Sequence, residues 1–293
     1  MHDQAENLRN KLKAATAGKA GKTIAIVSGK GGVGKSNFAL NFALGLIRKG
    51  KKILILDLDI GMGNIDVLLG NHARHHITDL FNNQYALHEL VEHGPEGLDY
   101  ISGGSGLGSF FEMNEQQKLR FYQQYETLSK MYDYVLFDMG AGATKESIFF
   151  ILASDECIIL ATPEPTALTD AYGMVKHIIN NSGKMPINIV MNRSVSGKIG
   201  YKALEGLQEV ARSFLKTELY ALGILPEDPI VQKAVMRQTP YMIYKENAAV
   251  SLAMEKLTAS YLGQMSEVRK GNVSSFLGKL KQLVKQGGGG YGN

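Results

Sequence analysis

Short apolar runs alternate along the chain with longer stretches whose apolar residues recur every three or four positions. The runs are TIAIVSG (23–29), KKILILDLD (51–59), LDYISG (98–103), YDYVLFDMG (132–140), ECIILATPE (156–164) and INIVMNR (187–193). Their length and β-branched content predict strands. The stretches between them include SNFALNFALGLIRKG (36–50), which stops on Gly50, EQQKLRFYQQYETLSKM (115–131) and ALTDAYGMVKHIINN (167–181). Their spacing predicts helices. Strands alternating with helices predict an α/β fold. It is a three-layer, doubly wound, mostly parallel β-sheet with helices on both faces. No linker interrupts the alternation, so residues 23–263 read as one domain. Before it, residues 1–22 read as a short helix over 3–15, with Ala5, Leu8 and Leu12 on one side, and a flexible basic joint, AGKAGK. After it, residues 264–293 form a separate tail.

Composition narrows the class. The 293 residues are 44% hydrophobic and 20% charged, the balance of a folded globular chain. The net charge of +4 is unevenly placed. The first 22 residues carry +3 and residues 264–293 carry +4, which leaves −3 on the body. Binding is therefore expected at the two ends, and an acidic body speaks against a nucleic-acid partner. One cysteine, Cys157, rules out an internal disulfide and any CxxC site. The opening MHDQAENLRNKLK is polar, and no run approaches the ~18 apolar residues of a membrane span. A cytoplasmic chain is expected.

One motif carries chemistry. Gly29-Lys30-Gly31-Gly32-Val33-Gly34-Lys35-Ser36 contains G-x-x-x-x-G-K-[ST] between a predicted strand and a predicted helix. Glycines there let backbone N–H groups point at phosphate oxygens, and the helix start adds positive potential. Lys35 is placed to reach β- and γ-phosphates, and the Ser36 hydroxyl to ligate Mg2+. ATP or ADP with Mg2+ is the expected ligand, with residues 29 to 36 and Asn37 lining it.

The form K-G-G-x-G-K-S resembles the deviant phosphate loop of the MinD/ParA group of P-loop ATPases. That resemblance implies an ATP-dependent homodimer in which Lys30 reaches the partner's nucleotide. It also assigns the carboxylates. Asp57-Leu58-Asp59-Ile60-Gly61 through Asn64 and Asp66 is similar to the group's D-x-D-x-G-x-x-N-x-D stretch. Asp59 would then act on the attacking water, and Asp57 would lie near the metal or the loop. Asp138 ends a strand where a carboxylate holds Mg2+ through water, although Asp138-Met139-Gly140-Ala141-Gly142 has Gly140 where the group's D-x-P-A-G has its proline. The implied catalytic set is Lys30, Lys35 and Asp59, and the implied metal set is Ser36, Asp57 and Asp138. Asn192 is similar to the group's adenine-contacting asparagine, and Pro226-Glu227-Asp228 to the loop that closes over the base.

The ends narrow the resemblance. Asp3-Gln4-Ala5-x-x-Leu8-Arg9 matches the D-Q-A-x-x-L-R motif of the flagellar MinD-like ATPases called FlhG or YlxH. It implies stimulation of an FlhF-type GTPase, with Gln4 orienting a water and Leu8 and Arg9 docking the helix. It also implies contact with flagellar C-ring switch proteins. Read on its own, the same stretch is a solvated amphipathic helix. In the tail, Phe276, Leu277, Leu280, Leu283 and Val284 share one helical face, while Lys279, Lys281 and Lys285 lie on or beside the other. That suits the inner, anionic face of a membrane, or packing onto the body, or each in a different nucleotide state.

Relatives with the same loop are separated by what this chain lacks. A cluster-bearing reductase or carrier needs more than one cysteine. A tyrosine-kinase relative needs a tyrosine-rich tail, and a chromosome-partitioning ParA a basic body. A MinD-type cell-division regulator shares the body and tail helix but not the N-terminal motif, and stays an alternative. So does a nucleotide-gated scaffold with negligible hydrolysis. His72, His75 and His76 have ligand-like spacing but no carboxylate or cysteine partners in the sequence.

Overall fold

The structure is a computed structural model that describes residues 20–60, 62–82, 84–104, 113–142, 144–182, 185–268 and 278–279. The predicted runs become strands β1 (Lys22–Val27), β2 (Ile53–Leu58), β4 (Asp99–Ile101), β5 (Tyr134–Met139), β6 (Glu156–Ala161) and β7 (Ile187–Ser194). Two further strands complete the sheet, β3 (Glu92–His93) and β8 (Tyr220–Pro226). The order is β3-β4-β2-β5-β1-β6-β7-β8. Every pair is parallel except β3 with β4. This is the doubly wound sheet that the alternation predicts.

The helices are α1 (Lys35–Ile47), α2 (Ile65–Leu69), α3 (Ile77–Phe81), α4 (Glu115–Leu128), α5 (Lys145–Ala153), α6 (Pro165–Ser182), α7 (Gly197–Val210), α8 (Pro229–Met236), α9 (Tyr241–Tyr244) and α10 (Ala249–Val268). Period-two alternation divides the core. Ala25 and Val27 of β1 join one buried cluster with Phe121 and Tyr125 of α4, Phe150 of α5, Val175 of α6 and Leu204 of α7. Ile24 and Ile26 join the other, with Phe38 and Phe42 of α1 and Met254, Leu257 and Tyr261 of α10. A strand buried on both faces reads as a continuous apolar run, which is why the central strands are plain in the sequence. Strand β8 is half-exposed at the edge and carries Gly223 and Pro226, so its signal is weak.

The body runs from Lys22 at the start of β1 to Val268 at the end of α10. Residues Asp3, Gln4, Ala5, Leu8 and Arg9, and Phe276, Leu277, Leu280, Lys281, Leu283, Val284 and Lys285, lie outside the described residues. Lys279 is described. It is half-buried, and its Nζ donates to the Ser154 carbonyl at 2.8 Å. Burial lowers its pKa, opposed by the nearby Asp155 carboxylate.

Candidate nucleotide site

Parallel strands bring β1, β2 and β5 side by side, with their C-terminal ends at one edge of the sheet. Register sets Asp57 of β2 opposite Asp138 of β5, and Ile26 of β1 on the other side of Asp138. Every element that follows a strand here therefore opens onto one crevice, as the topology of such sheets requires.

The loop from β1 to α1 lines that crevice. Gly34 caps α1 at φ +95° and Gly32 sits at φ +78°, backbone that side-chain-bearing residues seldom adopt. A methyl group on Gly29 would collide with the Asp170 carbonyl of α6, so that helix packs directly on the loop. The Ser28 hydroxyl donates to the Lys30 carbonyl at 2.9 Å.

Lys35 is buried, and its Nζ stands 3.6 Å from Asp138 Oδ1. Asp138 is fully buried, and among the described residues neither of its carboxylate oxygens has a hydrogen-bond partner within bonding distance. Burial pushes its pKa up, while the Lys35 ammonium and the Ser36 hydroxyl beside it pull the other way. Two unsaturated carboxylate oxygens next to a serine hydroxyl and an ammonium fit a hydrated Mg2+ and a polyphosphate. Mg2+ characteristically takes one or two protein ligands and completes its shell with water and phosphate. Among the described residues no group of three His, Cys, Asp or Glu is placed to hold a metal unaided.

Asp57, which the resemblance puts near the metal or the loop, is bonded to the loop. Its Oδ1 accepts the backbone N–H of Asp59 at 3.0 Å. Its Oδ2 accepts those of Asn64 at 2.8 Å and Ile65 at 3.2 Å. Three backbone donors of its own loop thus occupy most of the carboxylate's accepting capacity. Asp59 follows at the rim, half-buried, facing Gly140: a methyl there would lie 3.1 Å from Asp59 Oδ1. Burial raises the Asp59 pKa, opposed by the charge of Lys35.

Lys30 reaches to the segment that leads from β6 into α6. Its side chain is 46% exposed, with Nζ 3.7 Å from Glu164 Oε2 and 3.4 Å from Thr166 Oγ1. Asn37 lies along α1, where its Oδ1 accepts from Asn41 Nδ2 at 3.0 Å.

The residues read as base contacts come together at the end of β7. Asn192 donates from Nδ2 to the Val33 carbonyl at 2.8 Å. Pro226 pairs with Ser194, and the Glu227 N–H donates to the Ser194 carbonyl at 3.0 Å. Asp228 caps α8, accepting from Ile230 N at 2.9 Å, and takes a second bond from Val250 N at 3.3 Å. Its carboxylate is committed to structure, a cap of about 1 kcal/mol. Two neighbours escaped the sequence reading. Gly140 is the bare surface that Asp59 faces, and Arg193 sits at φ +53° with its guanidinium beside Gly34. Only the bulge between Met191 and Ser194 marks Arg193, and a bulge has no signature in the linear pattern.

Known proteins share the sequence pattern and the fold. Residues 21–189 match a family model described as an AAA domain, AAA_31. The chain is 31% identical over 217 residues to the antiactivator FleN of Pseudomonas aeruginosa, covering 74% of this chain and 78% of that protein. It is 31% identical over 269 residues to the flagellum site-determining protein YlxH of Helicobacter pylori, covering 90% of each. Among solved structures it resembles the septum site-determining protein MinD complexed with Mg-ADP from Pyrococcus horikoshii. The TM-score is 0.67 at 23% identity, over 85% of this chain and 98% of that one.

Proposed function

The chain belongs to the MinD/ParA-type P-loop ATPases and is an ATP-hydrolysing enzyme; on that premise we propose that it is a dimerising switch regulating flagellar number and placement. The observation that carries the switch is the position of Lys30. A lysine inside a phosphate-binding loop is half-exposed and, among the described residues, makes long contacts to Glu164 and Thr166. From there it can reach a nucleotide held by a second copy, where a cation supplied in trans offsets charge on the transferred phosphoryl group.

The remaining roles follow from the crevice. Backbone N–H groups of 29–34 and the α1 N-terminus receive the phosphates. Lys35 holds the β- and γ-phosphates, and Ser36 with Asp138 holds the hydrated metal. When bound, Mg2+ neutralises phosphate charge. Asp59, at the rim, orients the attacking water. Asn192 and Pro226-Glu227 border the base.

The two ends supply the output. The relatives' names, FleN as an antiactivator and YlxH as flagellum site-determining, support the flagellar reading. The N-terminal motif from Asp3 to Arg9 stimulates an FlhF-type GTPase, and the body contacts C-ring switch proteins. The tail binds an anionic membrane surface on the cytoplasmic side. It alternates with the docked position that the Lys279–Ser154 contact supports. Two tails per dimer strengthen the anchor by avidity. ATP favours the dimer, the dimer favours the membrane, and by reciprocity lipid favours ATP binding. A MinD-type division regulator is the second reading, supported by the fold likeness to MinD.

One assay separates them. Peptide 1–22 added to an FlhF-type GTPase should accelerate GTP hydrolysis, and Gln4→Ala should abolish the effect. A silent wild-type peptide favours the division regulator. For the switch itself, Asp59→Ala should bind ATP and sediment as a dimer without hydrolysis. A monomer in saturating ATP contradicts the scheme.

A further inference from the structure

We infer that Asp57 is a positioning residue for the hydrolytic step: it fixes the backbone that carries Asp59, and it does so without ligating the metal. Its carboxylate is fully buried and accepts three backbone N–H bonds from the segment that leaves β2. One bond holds Asp59 itself. The other two hold Asn64 and Ile65, the start of α2. The segment between is thus pinned at both ends by a single side chain.

The surroundings are built to admit that carboxylate and nothing more. A methyl group on Gly63 would lie 3.1 Å from Asp57 Oδ2, and one on Gly103 would lie 3.0 Å from Oδ1. The Gly63 N–H donates to the Gly104 carbonyl at 3.0 Å, which closes the loop after β4 onto the same place. Backbone from three directions encloses the group. These contacts constrain its position and, through the bond to Asp59 N, the backbone two residues on. Across the sheet register Asp57 faces Asp138, so the residue that places the water-directing carboxylate stands beside the one that faces the metal. A displacement of about 1 Å in such a group costs about 100-fold in rate.

This inference rests on the reading that Asp59 directs the attacking water, and the experiment keeps the two apart. ATPase rates are measured for the full chain, wild type and the variants Asp57→Asn, Gly103→Ala and Asp59→Ala. Each rate is divided by the number of sites that bind a fluorescent ADP analogue, which counts folded protein only. Asp57→Asn should lower kcat per site by about 10- to 100-fold. KM for ATP and the Mg2+ concentration for half-maximal rate should change by less than threefold. Gly103→Ala, whose methyl group presses on both the side chain and the carbonyl of Asp57 while leaving the residue itself unchanged, should do the same and serves if Asp57→Asn binds no nucleotide. A rate restored by excess Mg2+ makes Asp57 a metal ligand and overturns the inference. So does an unchanged kcat per site, and so does loss of binding sites in both variants, which makes Asp57 a core residue only. If Asp59→Ala hydrolyses ATP normally, the reading of Asp59 fails whatever Asp57 does.

Discussion

The side-chain amide of Asn192 donates to the carbonyl of Val33 at 2.8 Å, tying the end of β7 to the last turn of the phosphate loop. The two residues are 159 positions apart. One amide therefore braces the loop. Asn192→Ala should weaken ADP binding between about twofold and tenfold, because such a bond contributes about 0.5–1.5 kcal/mol. Titration with a fluorescent ADP analogue measures it. Unchanged affinity makes the bond incidental to the loop.

Gly34 is constrained twice. Its φ of +95° disfavours any side chain, and a methyl group there would stand 2.8 Å from the Asn192 amide nitrogen. Gly34→Ala should destabilise the fold by about 1–3 kcal/mol and abolish nucleotide binding. Chemical denaturation reads the first effect and nucleotide titration the second. Wild-type affinity would show that the loop tolerates another conformation.

Lys35→Ala removes the cation beside a buried carboxylate. Breaking one side of such a pair costs about 3 kcal/mol. The loss should depend on pH. The Asp138 pKa is already raised by burial, and without Lys35 it rises further, so the folded state prefers the proton that the unfolded chain releases. That contribution is present at low pH and disappears as pH rises through the folded pKa. The variant should therefore sit closer to wild type at pH 5 than at pH 8 in denaturant titrations. A gap independent of pH contradicts the pairing.

Asp57 gives a second pH signature. Burial first, and then the neighbouring Asp138, push its pKa up to about 8. An unfolded carboxylate titrates near 3.9, so native protein retains a proton that unfolded protein has lost. The stabilisation is complete below about pH 4 and drains away toward pH 8, at up to about 1.4 kcal/mol per pH unit. Relative to Asp57→Asn, wild type should lose stability between pH 5 and pH 8. Parallel stability profiles for the two proteins count against it.

Much of this molecule is legible in the linear pattern. The central strands are short, doubly buried apolar runs, and burial on both faces leaves no polar residue to blur them. The loop from Gly29 to Ser36 announces itself because phosphate binding by backbone N–H groups needs glycines at fixed spacing. Asp59 and Asp138 stand out in the sequence as aspartates at strand ends, and the structure places both at the C-terminal edge of the sheet. Strand β8 is not, because an edge strand interrupted by Gly223 and Pro226 loses its period. The chemistry of Asp57 and Asp228 is not legible either. An aspartate at a strand end looks the same whether it faces a metal, caps a helix or holds a loop. Only the fold shows that the first holds its own loop through backbone N–H groups and that α8 claims the second.

The sequence by itself determined the alternation, the phosphate loop and the charge division between body and arms, since each is a local matter of residue type and spacing. The tertiary structure alone decided which aspartate keeps open oxygens, which amide braces the loop and where Lys30 points. Those depend on which strands become neighbours, and parallel pairing joins residues as far apart as Asp57 and Asp138 through register. A hydrogen bond across such a distance is fixed by three-dimensional packing, and no local spacing rule encodes it.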